Sequence, residues 1–218
     1  QVDTVLHNDS AEGNAVYTVN YTDAATLTPC LRAQWNKGQE ATKESLAEME
    51  QQLPFPYKGL HPDSGSEFIN YQVHGFCRER HIDFTRSRAN RKNDNMYVEE
   101  RNGHVVRKWI GYLPLTCREA VDALNDVYAV LIPYLLHFQA VRRTASKEKV
   151  LSKYVRTYEK KGKTPYARIL EHEAVPEESK ERLKREHAGL NPLKLKREID
   201  RRIAHLYAVQ KRYGNRNG

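Results

Sequence analysis

Three acidic residues stand where a carboxylate could do chemistry. Asp3 lies inside a strand-like run, Asp63 follows a short strand signal, and Glu99 lies in a predicted helix. Oxygen ligands of this kind suit Mg²⁺ or Mn²⁺, and two such ions can hold the attacking and leaving oxygens of a phosphodiester. Each acid also has a structural alternative: an ion pair for Asp3, a turn for Asp63, and a solvated helix position for Glu99 or its neighbour Glu100.

The elements that would carry these acids can be placed from the apolar pattern. Runs rich in Val, Tyr and Thr predict strands, and a 3.6-residue apolar period predicts helices. In chain order, the signals predict strands over 2–7, 15–22, 27–34, 57–61 and 82–85, and helices over 39–53, 66–80 and 95–112. Three antiparallel strands followed by alternating helices and strands predict an α/β fold, with a mixed five-stranded sheet flanked by helices.

This order of elements could bring the acids together. If the first and fourth strands are neighbours, Asp3 and Asp63 lie side by side, and a helix that crosses this sheet edge could bring Glu99 to the same point. The helix over 95–112 is predicted to turn four residues inward, namely Val98, Val105, Trp109 and Tyr112.

The second half of the chain has a different character. After Pro114 the strand signals fade, and helices are predicted over 118–131, from Thr164-Pro165, after Pro176 and over 194–213, with Pro133 ending or kinking the first of them. We therefore expect two regions, an α/β region over 1–114 and a mainly helical C-terminal region over 115–218.

The charge is divided in the same way. The chain of 218 residues has a formal net charge of +8. Residues 1–114 hold 13 Lys/Arg and 15 Asp/Glu, whereas residues 115–218 hold 23 and 13. A basic half suggests a polyanionic partner, with nucleic acid as the first candidate. The alternative is a solvated helical surface of mixed charge.

A basic loop over 86–92 is the best local candidate for a DNA contact. It carries four cations next to the proposed acidic site, namely Arg86, Arg88, Arg91 and Lys92. Such residues bind phosphates and make the affinity depend on salt. The alternative is a flexible, solvated loop.

Composition excludes several classes of protein. The longest apolar run, 128–136, is too short to span a membrane and is interrupted by Pro133. Three scattered cysteines argue against a disulfide framework and for a reducing, cytoplasmic compartment. The chain has no Gly-rich phosphate loop, so no nucleotide cofactor is expected. Residue 1 is Gln, which suggests a piece of a longer protein.

One further cluster has metal-ligand spacing. His74, Cys77 and His81 are three and four residues apart and would share a helix face, which could bind zinc. Only three ligands are present locally, so a half-buried helix surface is the favoured interpretation.

The arrangement of the acids resembles the catalytic triad of the transposase and retroviral integrase family, in particular of bacterial insertion-sequence transposases. Residues 63 and 99 are separated by 35 residues, and residues 3 and 63 by 59. The stretch 63–70, Asp-Ser-Gly-Ser-Glu-Phe-Ile-Asn, is similar to the sequence around the second acid of these enzymes. The segments 84–88, 92–95 and 98–99 look like the approach to the third acid, and 164–168 resembles a C-terminal stretch.

The resemblance implies an RNase H-like fold and metal-dependent DNA chemistry. Asp3 and Asp63 would hold Mg²⁺ or Mn²⁺, as two ions, and Glu99 would complete the site. The enzyme would cut a DNA 3′ end at the transposon tip and join that end to target DNA, with water or the 3′-OH as the nucleophile. The resemblance also implies work as a homo-multimer on DNA, an upstream helix-turn-helix region, and association with the bacterial nucleoid.

Some positions depart from the family pattern. Ser64 stands where Asn is common, Tyr97 and Glu100 replace the more usual His and Gln, and Gly103 replaces a bulky aromatic residue. Two other functions stay open beside the transposase. One is a transposase-derived protein that binds DNA without cutting it, and the other is an RNase H-like nuclease without strand transfer.

Overall fold

The N-terminal part of the chain forms the predicted strands. The structure, a computed structural model, describes residues 1–8, 14–88, 98, 101–150 and 153–214. Strands β1 (Val2–Leu6), β2 (Val16–Thr22) and β3 (Pro29–Trp35) form an antiparallel sheet in the order β1-β2-β3. Every residue of β2 is buried, because this central strand is covered on both faces. The first three predicted strands are confirmed to within about two residues.

Two helices of the N-terminal half cover one side of this sheet. Helix α1 (Gln39–Gln52) buries Leu46 and Met49 and ends before Pro54, as predicted. Helix α2 (Tyr71–Glu79) is shorter than the predicted 66–80. Its start is set by Asn70, whose side-chain oxygen accepts a hydrogen bond from the Val73 amide.

The fourth and fifth strands form a separate pair. β4 (Gly59–Leu60) and β5 (Asp83–Phe84) are parallel. A single parallel bridge between Val2 and Pro62 links this pair to β1, with the Val2 amide donating to the His61 carbonyl at 3.2 Å. The mixed α/β class is confirmed, but the predicted single five-stranded sheet is not what the pairing shows. β4 and β5 are only two residues long, so the strands pair as three plus two.

The segment before Gly111 is helical, with an unusual winding. Residues Asn102–Arg107 form a π-helix that continues into α3 (Lys108–Ile110). Of the four residues predicted to turn inward, Val98 and Val105 are buried and Trp109 is half-buried. The prediction that Tyr112 turns inward is wrong. Its side chain is 75% exposed, because the chain leaves the helix at Gly111 with a φ of 78°.

A long helix from the second half completes the main core. Helix α4 (Glu119–Phe138) continues through Pro133 rather than ending there. It packs on β3, and the Asn125 side chain pairs with both backbone groups of Ala33, at 2.8 and 3.0 Å. Leu124, Leu131 and Leu135 share one cluster with residues of β1, β2 and β3. The division into two regions at residue 114 stays a prediction. The main hydrophobic core contains residues from before and after this position.

The rest of the chain consists of a hairpin and three helices. Strands β6 (Thr144–Val150) and β7 (Lys153–Tyr158) form an antiparallel hairpin, so the expectation that strands end at Pro114 is wrong. Helix α5 (Pro165–Glu171) begins at the predicted Thr164 cap, and α6 (Glu177–Gly189) begins after Pro176. Helix α7 (Pro192–Tyr213) packs on α4. Within the described ranges, no helix is both long and apolar enough to cross a membrane.

A buried polar chain connects α4 to the sheet. His7 Nε2 lies 2.8 Å from Thr18 Oγ1, which lies 2.6 Å from the Tyr128 hydroxyl. Burial, with a smaller contribution from the Arg107 charge, lowers the pKa of His7 to about 3. His7 is therefore neutral in the folded protein over the whole range in which a solvated histidine would gain a proton.

This burial predicts a loss of stability in acid. Below pH 6.5 the unfolded chain binds a proton at His7 and the folded chain does not, so the free energy of unfolding should fall by up to about 1.4 kcal/mol per pH unit down to the folded pKa of about 3. Urea unfolding of the wild type and of His7→Gln at a series of pH values measures this contribution. A constant difference between the two proteins from pH 7 to pH 4 would contradict it.

Candidate active site

Asp3 is held by hydrogen bonds on both of its carboxylate oxygens. Oδ1 accepts from the Thr4 amide at 2.8 Å, and Oδ2 accepts from Asn102 Nδ2 at 2.6 Å. The Asn102 side-chain oxygen in turn accepts from Asn20 Nδ2 at 2.7 Å, and Asn20 is the register partner of Asp3 on β2. A residue of the π-helix and a residue of the central strand therefore orient this carboxylate.

Asp63 follows β4 directly beside β1. The parallel bridge joins Val2 to Pro62, so the next position on each segment is an aspartate. Corresponding positions of bridged parallel segments lie on the same side of a sheet, so Asp3 and Asp63 occupy neighbouring backbone positions. That their carboxylates form one site stays a prediction. Asp63 Oδ1 accepts a hydrogen bond from the Gly65 amide at 2.9 Å, which fixes the turn after the strand.

A further carboxylate lies here that the sequence reasoning did not assign to the site. Glu67 is only 7% exposed, and its Oε1 accepts from Thr4 Oγ1 at 2.9 Å. A Cβ atom on Gly65 would lie 2.7 Å from Glu67 Oε2 and 3.0 Å from Asp63 Oδ1. The two carboxylates therefore converge on the space that glycine leaves open. Glu67 lies within the stretch 63–70 that resembles the family, but no neighbouring residue indicated that this glutamate would be buried.

Glu99 lies outside the described residues, but residues on both sides of it contact the first strand. The Val98 amide donates to Gln1 Oε1 at 3.2 Å, and Asn102 donates to Asp3. The π-helix begins at Asn102, and Gly103 lies within it. Insertions of this kind are frequent at functional sites.

The donor chemistry at this site suits a hard cation. Asp3, Asp63 and Glu67 offer only carboxylate oxygens, which is the ligand type that Mg²⁺ and Mn²⁺ prefer. Among the described residues, no group of three or more His, Cys, Asp and Glu side chains is arranged to hold a metal ion. Asp3 and Asp63 fit the role of two ligands in a site to which another residue must contribute.

The zinc alternative at α2 finds no basis in the described part of the chain. Cys77 is buried, and burial raises the pKa of its thiol to about 11. His74 is exposed, and His81 lies beyond the end of the helix with a φ of 54°. The three residues therefore do not share one helix face, which favours the interpretation of a half-buried surface.

The first part of the basic loop runs beside Asp63. Thr85 N donates to the Leu60 carbonyl at 3.1 Å, and Ser87 N donates to the Pro62 carbonyl at 3.0 Å. These bonds extend the β4–β5 pairing up to the acidic turn. Arg86 and Arg88, on either side of Ser87, are exposed. The other two cations of the predicted DNA contact, Arg91 and Lys92, lie outside the described residues.

Comparison by sequence finds a relative of this chain. No protein-family model matches the chain. The uncharacterized protein y4rM of Sinorhizobium fredii is 36% identical over 166 residues, which cover 72% of this chain and 45% of that protein. The chain thus spans less than half the length of this curated relative.

Comparison by structure identifies the type of fold. A chain in the cryo-EM structure of the simian T-cell lymphotropic virus intasome, in complex with PP2A regulatory subunit B56 gamma, matches with a TM-score of 0.50 and 12% identity, over 65% of this chain and 48% of that one. The HTLV-2 integrase catalytic core domain in complex with magnesium, in its trimeric form, matches with a TM-score of 0.47 and 14% identity, over 65% and 86%. The fold is a mixed α/β fold similar to that of the matched intasome chain.

The Thr4–Glu67 hydrogen bond predicts a cost when its hydroxyl is removed. Thr4→Val keeps the shape of the side chain but leaves a buried carboxylate oxygen without its donor, so the free energy of unfolding should fall by about 1–3 kcal/mol. Urea unfolding measures the loss. Thr4→Ser retains a hydroxyl and should stay close to the wild type; equal losses in both variants would show that this hydrogen bond is not what matters at position 4.

Proposed function

We propose that this chain contains the catalytic core of a DNA transposase or integrase that cuts DNA ends and joins them to target DNA by metal-dependent phosphoryl transfer. The observation that supports the proposal is the parallel bridge between Val2 and Pro62, since Asp3 and Asp63 are the next residues of the two bridged segments. The sequence stretches around Asp63 and Glu99 favour a bacterial insertion-sequence enzyme within this class.

In this proposal Asp3 and Asp63 hold Mg²⁺ or Mn²⁺, and Glu99 completes the site. When bound, the metal supplies charge stabilisation at the phosphate and an activated oxygen nucleophile. Asn102 and the Thr4 amide hold the Asp3 carboxylate in one orientation, and the Gly65 amide does so for Asp63. Hydrogen bonds of this kind orient the groups that ligate a metal. The contacts of Val98 and Asn102 with Gln1 and Asp3 support the assignment of Glu99.

The proposed partners are DNA and further copies of the chain. Two DNA substrates, the element end and the target, must meet at one site, and a multimer on DNA is the arrangement that the family resemblance implies. Arg86 and Arg88 lie exposed next to Asp63, where they can bind the phosphates that flank the reacting bond. The activity of the full-length protein belongs to the same proposal.

Removal of either aspartate should abolish the chemistry. Asp63→Asn and Asp3→Asn in the full-length protein should lower cleavage and joining by roughly a hundredfold or more, because a neutral amide is a poor ligand for a divalent cation. The assay uses duplexes made from the two ends of the DNA element that encodes the protein, with Mg²⁺ or Mn²⁺, and resolves the products on a denaturing gel.

Asp83→Asn is the matched control for these variants. Asp83 is an exposed acid on the neighbouring strand β5, so its loss should leave the reaction unchanged. Tight DNA binding without cleavage in the wild type would instead identify a DNA-binding protein that has lost catalysis. Hydrolysis without joining would identify a nuclease.

The two exposed arginines should act on binding rather than on chemistry. Arg86→Gln with Arg88→Gln should weaken DNA binding and make the plot of log affinity against log salt concentration shallower by about 2, since each lost phosphate contact removes about 0.9 from the slope. Fluorescence anisotropy over a salt series measures this slope. An unchanged slope would place the phosphate contacts elsewhere on the protein.

A further inference from the structure

Two segments of the chain are strongly basic. Residues 191–218, which include α7, hold eight Lys/Arg and two Asp/Glu. Residues 142–163 hold nine Lys/Arg and two Glu, a net charge of +7 against +8 for the whole chain. This segment contains the β6–β7 hairpin and the residues at its base. Its exposed cations at the base are Arg142, Lys160, Lys161 and Lys163.

The two faces of the hairpin differ in their residues. The strand register pairs Lys147 with Arg156 and Lys149 with Tyr154. Because successive positions of a strand alternate between faces, these four positions lie on one face, which we call the basic face. Tyr158 continues the alternation of Tyr154 and Arg156. The opposite face holds the positions of Ser146, Glu148, Val150, Lys153, Val155 and Thr157.

Both faces are open to solvent where their exposure is described. Tyr158, in line with the basic face, is 44% exposed, and Val155, on the opposite face, is 49% exposed. Strand positions at which lysine and arginine are interleaved with tyrosine are typical of a surface that binds nucleic acid.

The base of the hairpin is fixed to the body of the protein. The Glu159 carboxylate forms an ion pair with Arg168 and accepts a hydrogen bond from the Arg143 amide at 3.1 Å. The Glu159 amide donates a hydrogen bond to the Arg143 carbonyl at 2.9 Å. The Arg168 guanidinium keeps the pKa of Glu159 at about 2, so this acid stays charged. The Arg143 guanidinium donates to the carbonyls of Ala24 and Ala25, next to β3. The base of the hairpin is thus fixed to the turn between β2 and β3 and to α5.

We propose that the basic face of the β6–β7 hairpin binds duplex DNA as a two-stranded ribbon. The major groove of B-DNA is wide enough to admit a two-stranded ribbon. Lys147, Lys149 and Arg156 bind phosphates along the groove, and Tyr154 and Tyr158 contact the backbone between them. The inference rests on the proposed DNA substrate and adds a second contact surface to Arg86 and Arg88. A second copy of the chain is disfavoured as the occupant, because two basic faces repel each other.

The test compares two triple variants of the full-length protein that lose the same charge. One carries Lys147→Gln, Lys149→Gln and Arg156→Gln on the basic face. The other carries Lys194→Gln, Arg197→Gln and Lys211→Gln, which remove three exposed cations of α7. Binding to a fluorescein-labelled duplex of random sequence is measured by anisotropy in EDTA over a salt series. Thermal unfolding confirms that each variant is folded.

The hairpin variant should bind roughly tenfold more weakly or worse and lower the salt slope by about 2.7, since three phosphate contacts are lost. The α7 variant should bind like the wild type. Equal loss in both variants, or no loss in the hairpin variant, overturns the proposal. So does a hairpin variant whose self-association in sedimentation changes while its DNA affinity does not, since that identifies a protein interface.

The same proteins separate this inference from the proposed catalysis. Asp63→Asn should bind the duplex like the wild type, because it changes the acidic site and leaves the ribbon intact. If the wild type binds DNA through the hairpin but does not cut it, the proposal of DNA binding by the basic face is supported and the proposed catalysis is refuted. Cleavage by a hairpin variant that binds as tightly as the wild type would sustain the enzyme and refute the ribbon.

Discussion

The candidate site depends on backbone contacts at both edges of strand β1. One edge pairs with β2 along all five residues of β1, and the other receives the His61–Pro62 backbone through a single bridge at Val2. Val2 is fully buried at this point. Since the bridge sets the relative position of two segments sixty residues apart, it also sets the relative position of Asp3 and Asp63. The Thr4–Glu67 hydrogen bond is a second connection between the same two segments.

The surroundings of the acids serve to orient them. Carboxylates that lie close together repel each other, and a protein tolerates such a cluster when hydrogen bonds and a cation offset that repulsion. Here Asn102, Thr4 and the Gly65 amide supply hydrogen bonds to Asp3, Glu67 and Asp63. The π-helix contributes through the placement of Asn102. The arrangement has the character of a functional site, where local regularity is given up so that side chains can be aimed.

Acidic and basic features occupy different parts of the fold. Asp3 and Asp63 lie where β1 meets the segment after β4, whereas the two most basic segments are the hairpin with its base and the C-terminal segment that contains α7. In the proposed function, this separation would let cations hold DNA over a large surface while a few acids act at one bond. The Glu159–Arg168 ion pair and the Arg143 contacts give the basic ribbon a fixed origin relative to the sheet.

Local patterns in the sequence were enough to determine the first three strands, helix α1, and the start of α5 at Thr164. Alternation, helix periodicity and capping are short-range effects, so they can be read without knowing the rest of the fold. The candidate acids Asp3 and Asp63 were selected in the same way, from residue type and flanking strands, and their chemistry stays a prediction.

Tertiary structure alone decided the features that depend on distant partners. Glu67 became part of the site because it is buried against Thr4, which is 63 residues away. Helix α4 continues through Pro133 because Leu131 and Leu135 on either side are packed in the core, which outweighs the lost hydrogen bond. The hairpin was missed because its lysines obscure the strand pattern, while its anchor pairs Glu159 with Arg168 beyond it and Arg143 with the loop before β3. Burial and long-range pairing depend on residues far apart in the chain, and no local window of sequence contains both partners.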